Sequence, residues 1–249
     1  MLLLPILLYH HVGPPVEAGG HRRLWISPQR FTEQIVYLKS AGYRCLTLRD
    51  VLAALRDGQP VSPRTVVLTF DDGYRSFYQA AYPALARHGF VATVFVVAGA
   101  VGEVSRWSEG PAAPLMGWEE IQELNRQGIE FGSHSLNHLR LSTLSRDAAR
   151  RELLESKKIL EERLGESVQC FAYPYGTFGP AIEDLVQETG YGLACSIERG
   201  NLHAPADCLR LKRVPIDEFT TISCLRRRLS PAYDYTCRLH RWLRRVRGS

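Results

Sequence analysis

The 249-residue chain has no run of 18 or more apolar residues, so no transmembrane helix is expected. Its apolar start, Met1-Leu2-Leu3-Leu4-Pro5-Ile6-Leu7-Leu8-Tyr9, lacks a preceding positive region and a small-residue cleavage site, and reads as a first strand rather than an export signal. None of the six cysteines (Cys45, Cys170, Cys195, Cys208, Cys224, Cys237) stands in a CxxC pair, which makes reduced thiols in a cytoplasmic protein the expectation. Internal repeats and low-complexity tracts are absent, which sets aside repeat architectures. Acidic charge is scarce in one place only. Between Arg226 and Arg247 eight Arg face a single Asp, so the overall +5 belongs to the C-terminal tail and the rest carries −2.

What the chain does contain is an ordinary globular composition, 45% hydrophobic with 14 Pro and 20 Gly, read as one domain over residues 1–225 followed by a basic amphipathic tail over 226–249. Apolar strand-like runs alternate with helix-like ones. Residues 2–9, 66–70, 91–97, 129–131, 168–172, 191–197 and 210–216 read as strands. Ser27-Pro28 starts a helix that Gly42 closes, residues 48–55, 76–88 and 118–127 are helical, Ser145 caps a helix running to Leu164 before Gly165, and 180–189 is another. Residues 101–117, with Gly, Pro and Trp107 but no periodicity, read as a surface loop over the site. The order is α/β, and about seven parallel strands with outer helices suggest a closed or nearly closed barrel.

Three strand ends carry unusual residues. Val66-Val67-Leu68 runs into Thr69-Phe70-Asp71-Asp72-Gly73-Tyr74, and the next such stretch is Gly132-Ser133-His134-Ser135-Leu136-Asn137-His138. Asp-Asp-Gly alone is a turn, and His-x-x-x-His alone is a pair of neighbours. Together at strand ends they offer one Asp and two His as a facial metal site, with the other Asp left as a base, enough to hydrolyse an amide with activated water. A third stretch, Phe171-Ala172-Tyr173-Pro174-Tyr175-Gly176, holds a rigid turn whose backbone N–H after the Pro can meet developing negative charge, with Tyr173 and Tyr175 as a wall for a sugar ring.

These three motifs, in this order and spacing, resemble the polysaccharide deacetylases of the NodB-homology group, carbohydrate esterase family 4, over roughly residues 1–216. The resemblance implies a distorted (β/α) barrel of about seven strands and removal of acetyl groups from sugars with a divalent metal. It also implies Asp71 as general base and Asp72, His134 and His138 as metal ligands. Zinc is the expected ion, and Co, Ni or Mn also suit an Asp/His₂ set. Tyr175 would lend its backbone N–H to the oxyanion. Many members carry an Arg at the position of Ala172, and Arg213, in Leu211-Lys212-Arg213-Val214-Pro215, is the candidate replacement. The late His used as acid in the family has no counterpart, since His203 and His240 lack its context. Leu7-Leu8-Tyr9-His10-His11-Val12 is similar instead to the subgroup of bacterial poly-β-1,6-N-acetylglucosamine deacetylases, in which a His after the first strand is the acid. His10 fits, and His11 is the alternative on the opposite strand face.

The expected function is metal-dependent N-deacetylation of an N-acetylated amino sugar, in a GlcNAc-containing glycan or its lipid-linked precursor. The competing expectations are a carbohydrate-binding protein that lost the reaction, suggested by Ala172, and a hydrolase of another amide such as a cyclic imide. A closed small cavity would favour the imide and an open groove the sugar. No nucleic-acid partner is expected, because no recognisable binding motif accompanies the tail's charge. Its aromatic and Arg residues suggest peripheral contact with the inner face of a membrane.

Overall fold

The computed structural model describes residues 1–14, 24–107 and 112–246. Seven parallel strands form its centre: β1 (Ile6–Tyr9), β2 (Thr65–Phe70), β3 (Thr93–Val96), β4 (Glu130–Ser133), β5 (Cys170–Ala172), β6 (Leu193–Arg199) and β7 (Leu211–Pro215). The sheet closes. Its strands follow the order β1-β7-β6-β5-β4-β3-β2, and β2 returns to β1 through Ile6↔Val67 to Tyr9↔Phe70. Val67 also pairs with Leu46 of a short strand, Arg44–Leu46, and Thr69 with Thr93 of β3. That short strand therefore shares one edge of β2 with β3 and stands outside the closed ring.

A period of two divides every strand between two apolar environments. Ile6, Val67, Phe95, Cys170, Leu193, Cys195 and Leu211 point into the barrel and pack there with Leu48, Val51 and Leu52 of α2 (Leu48–Arg56). Leu7, Val66, Leu68, Val94, Phe171 and Val214 point outward under α1 (Pro28–Ser40), α3 (Tyr82–Arg87), α4 (Trp118–Arg126), α5 (Arg146–Leu164) and α6 (Pro180–Glu188). The interior is tight enough that a Cβ on Gly132 would lie 2.7 Å from the Phe95 ring. The expected caps are in place, with Ser27 accepting from the Arg30 N–H, Ser145 from the Ala148 N–H, and Gly165 left-handed after α5.

Three expectations change in detail. The first strand is broken at Pro5, which has no N–H to give; Leu2–Leu3 leaves the barrel to pair antiparallel with Leu202–His203, and His203 Nε2 donates to the Leu4 carbonyl. The helix expected over 76–88 opens with a π turn at Phe77–Ala81 before α3, where Pro83 again removes a donor. The domain boundary at 225/226 falls inside α7 (Ile222–Leu229). Leu225, Leu229 and Tyr233 are buried in the main core, Asn201 donates to the Arg228 and Ser230 carbonyls, and fully buried Asp234 of α8 (Ala232–Val246) accepts from Lys212 at 2.8 Å. An apolar stripe among the arginines docks this basic segment on the main core. The side chains of residues 240–246 and all of 247–249 lie outside the described residues. The expected membrane contact, from Arg226–Arg228 through Tyr233, Tyr235 and Trp242 to Arg247, falls partly there.

Candidate metal centre and groove

The division between inward and outward positions places the site. Residues 6, 8 and 10 share the inner face, as do 67, 69 and 71, 130, 132 and 134, and 211 and 213, so His10, Asp71, His134 and Arg213 all converge above the barrel interior. His11 has the opposite parity. It is buried outside the ring, with Nδ1 3.0 Å from Ser76 Oγ and its ring edge-on to Tyr74, whereas half-buried His10 lines the groove.

Alternation alone would send Asp72 outward. Instead Asp72 (φ 72°) and Gly73 (φ 74°) both adopt left-handed backbone, and a Cβ on Gly73 would lie 2.8 Å from Val96, so the chain turns sharply and carries the Asp72 carboxylate toward the histidines. His134 Nε2 lies 3.6 Å and His138 Nε2 3.2 Å from Asp72 Oδ1, and the three ligand atoms sit within 4.8 Å of one another, all buried. His134 Nδ1 donates to the Ala172 carbonyl at 2.8 Å, which fixes its tautomer and leaves the Nε2 lone pair facing Asp72. Burial pushes the His134 imidazole down to about 4 against the pull of Asp71, keeping it neutral as a ligand must be. Burial raises the Asp72 carboxyl, but His138, His10 and His134 hold it well below the ordinary range. A buried carboxylate and two convergent imidazole nitrogens fit a divalent cation.

The loop bearing the histidines is fixed by polar contacts. Ser135 Oγ accepts from the His138 N–H at 2.9 Å, and Ser135 and His138 are both left-handed. Asn137 gives its backbone N–H and its side-chain amide to Glu152 at 2.8 and 2.7 Å. Glu152 was not singled out in the sequence. Its signal there is a carboxylate on the buried stripe of α5 that holds Ala149, Leu153, Ser156 and Leu160.

Arg213 is wholly buried and grips Asp71 with both arms, Nη1 to Oδ1 and Nη2 to Oδ2, each 2.7 Å, while its Nε donates to the Ser196 carbonyl. Position 172 carries no cation, and Arg213 stands where one is needed. Burial raises the Asp71 carboxyl, but Arg213 and then His134 more than reverse this and hold it below its usual value; Arg213 is correspondingly raised by Asp71 in spite of burial.

Tyr175 is also left-handed (φ 57°), and the turn's own carbonyls take the Gly176 and Thr177 N–H groups. The Tyr175 N–H precedes them and finds no acceptor within the turn. The ring of Tyr175 meets His138 edge-on at 4.6 Å and carries the Arg140 guanidinium 4.0 Å above its face. Tyr173 does not form a sugar wall. It is 1% exposed, stacks on Phe178 and donates its hydroxyl to the Leu209 carbonyl. The exposed aromatic on the groove is Phe219, at 63%. The groove is open and about 940 Å³, running from the Asp-His-His cluster past Tyr175 and Ile197 to Pro215, Asp217 and Phe219.

A closed parallel barrel with an Asp-His-His cluster and a second, Arg-clamped Asp at the strand ends defines a class of hydrolytic centre. The family profile described as polysaccharide deacetylase matches residues 58–194, more than half of the chain, and the protein belongs to that family, whose members are metal-dependent. Its structure is similar to that of the Streptococcus pyogenes deacetylase PplD, at 30% identity and TM-score 0.81 over 92% of this chain and 98% of that one. It is also similar to IcaB from Ammonifex degensii, at 28% identity and TM-score 0.75 over 87% and 93%. Among curated relatives, YxkH of Bacillus subtilis is 28% identical across 86% of this chain and 71% of its own. The poly-β-1,6-N-acetyl-D-glucosamine N-deacetylase of Escherichia coli K12 is 25% identical across 76% of this chain, which spans only 33% of that longer protein.

Proposed function

We propose that this deacetylase removes the acetyl group from N-acetylglucosamine units of a glycan or of its lipid-linked precursor, with Zn²⁺ held by Asp72, His134 and His138. The observation that carries the reading is the pairing of that cluster with Asp71, held ionised by Arg213, at one end of an open groove. The groove, lined by Trp107, Tyr175 and exposed Phe219, suits an extended saccharide better than a compact imide.

When bound, the metal supplies Lewis acidity to the acetyl carbonyl and makes a water acidic enough to attack near neutral pH. The rest falls to side chains and backbone. Each Asp71 oxygen accepts one Arg213 N–H and keeps a second lone pair, with which the carboxylate takes the proton from the attacking water. Arg213 holds that carboxylate in one orientation and keeps it charged. The Tyr175 N–H meets the oxyanion as the carbonyl carbon becomes tetrahedral. His10, at the end of the strand beside the one that carries the base, gives its proton to the departing amine nitrogen as the C–N bond breaks.

Acetate release from β-1,6- and β-1,4-linked N-acetylglucosamine oligomers, with zinc-loaded and chelated protein side by side, tests this reading. Release from at least one series, abolished by the chelator and restored by Zn²⁺, is expected. Chelator-insensitive release would remove the metal, and no release from oligomers or from lipid-linked N-acetylglucosamine would remove the substrate class.

A further inference from the structure

The segment between β3 and α4 is pinned to the motif that carries the two aspartates. Val104 bridges to Pro114 and Leu115 to Tyr74, the Arg75 N–H donates to the Pro114 carbonyl, and the Met116 N–H to the Gly73 carbonyl. Tyr74, Ala113 and Leu115 form a small buried cluster of their own, against which Trp107 packs. From that support Trp107 reaches the metal cluster. Its indole lies on the His138 imidazole with ring centroids 4.6 Å apart and planes 22° apart. The same ring meets Tyr175 edge-on, so two aromatic groups enclose it. No described group hydrogen-bonds His138 Nδ1, in contrast to His134, whose Nδ1 is anchored on Ala172.

The difference is informative. A metal-bound imidazole ordinarily has its orientation fixed by a hydrogen bond at the other ring nitrogen. His134 has one. His138 has a stacked indole in its place.

We propose that Trp107 is a positioning residue of the metal centre, holding the His138 ring in its ligating orientation by stacking and so slowing loss of the ion. This rests on the metal reading of the Asp-His-His cluster. The chain's own geometry then couples the β3–α4 segment to metal retention: the backbone that anchors Trp107 also anchors Tyr74, whose hydroxyl faces Asp72 and Ser105. Two of the three ligands are thus buttressed from one loop.

The test is metal affinity, measured by competition against a chromogenic chelator, with the dissociation rate followed after excess chelator, for wild type, Trp107→Ala, Trp107→Leu and Trp107→Phe. Loss of an outer partner of a metal ligand typically costs ~10–100-fold in affinity. A loss in that range is expected for Ala and for Leu, which keeps apolar contact with the Tyr74 cluster but has no flat face. Phe should restore affinity to within about threefold of wild type. Co²⁺ should quench part of the wild-type indole fluorescence, and that part should vanish in Trp107→Phe. Unchanged affinity and release in both Ala and Leu variants would overturn the role while leaving the metal centre intact. A wild type that takes up no ion would overturn the metal reading and this inference with it.

Discussion

The stretch of β4 and the residue after it carries a buried polar residue at each end of the barrel, Glu130 and His134, and the two are satisfied in opposite ways. At the N-terminal end Glu130 accepts from Thr93 Oγ1 at 2.6 Å and from the Arg49 N–H at 3.1 Å, in the first turn of α2, so the chain itself uses the carboxylate. At the C-terminal end, four residues and about 13 Å further along the strand, His134 points a lone pair at Asp72 and no described protein cation stands between them. A polar group closed by its own fold stabilises or plugs; one left open needs a ligand. That distinction, rather than burial, separates the structural end of this barrel from the chemical end.

The largest effect is expected where the open end is made to resemble the closed one. Asp71→Asn keeps the shape and a hydrogen-bonding oxygen but removes the base. Turnover should fall by ~10²–10⁴-fold with bound metal unchanged, measured by acetate release and metal analysis on the same sample. Asp72→Asn should instead lose metal. His10→Gln belongs to the same range, near the lower limit, whereas His11→Gln should spare turnover because His11 sits outside the ring. Equal losses from both histidines would erase the inside-outside argument.

A smaller effect in rate but a large one in stability is expected from Arg213→Met. It strands the Asp71 carboxylate, buried to 3% exposure, without its counter-charge, for which removal of one partner of a buried pair typically costs ~3–5 kcal/mol. The sign on activity follows from the direction of the shift. Arg213 holds Asp71 below its ordinary value, so without it the carboxyl titrates higher, and the acid limb of the kcat/KM profile should move to higher pH. Urea unfolding and a pH–rate profile check the two halves separately. An unmoved acid limb with lost stability would leave Arg213 a purely structural clamp.

Much of this site was legible in the sequence, for a local reason. An apolar run with charge at its end marks a strand and its tip, so Asp71, Asp72, His134 and the Pro174-Tyr175-Gly176 turn could be placed by reading along the chain. Arg213 was reachable only as a candidate, because it meets Asp71 across 142 positions and no spacing records that contact. Trp107 on His138 and Glu152 under Asn137 are of the same kind. The choice between His10 and His11 required knowing which face of β1 is the inner one, and closure of the sheet supplies that. The tail was read as a basic amphipathic segment of its own, and Leu225, Leu229 and Tyr233 beside its arginines dock it on the main core.

The smallest effect is expected at the closed end. Burial raises the Glu130 carboxyl against the hydrogen bonds of Thr93, Cys170 and the Arg49 N–H. For an acid the consequence runs opposite to Asp71. Above the ordinary carboxylate value the unfolded chain has released its proton while the folded one keeps it, so stability falls as pH rises through that window and is level beyond the folded value. Glu130→Gln retains a carbonyl for Thr93 and Arg49 and has no charge to bury. Its stability relative to wild type should therefore improve as pH rises above the ordinary carboxylate value, read from urea midpoints at several pH values. Acetate release should stay within about twofold of wild type, because nothing in the plugged end touches the groove. A variant that folds, binds metal and yet loses turnover would show that the two ends of β4 are coupled, and that the α2 plug tunes the site above it.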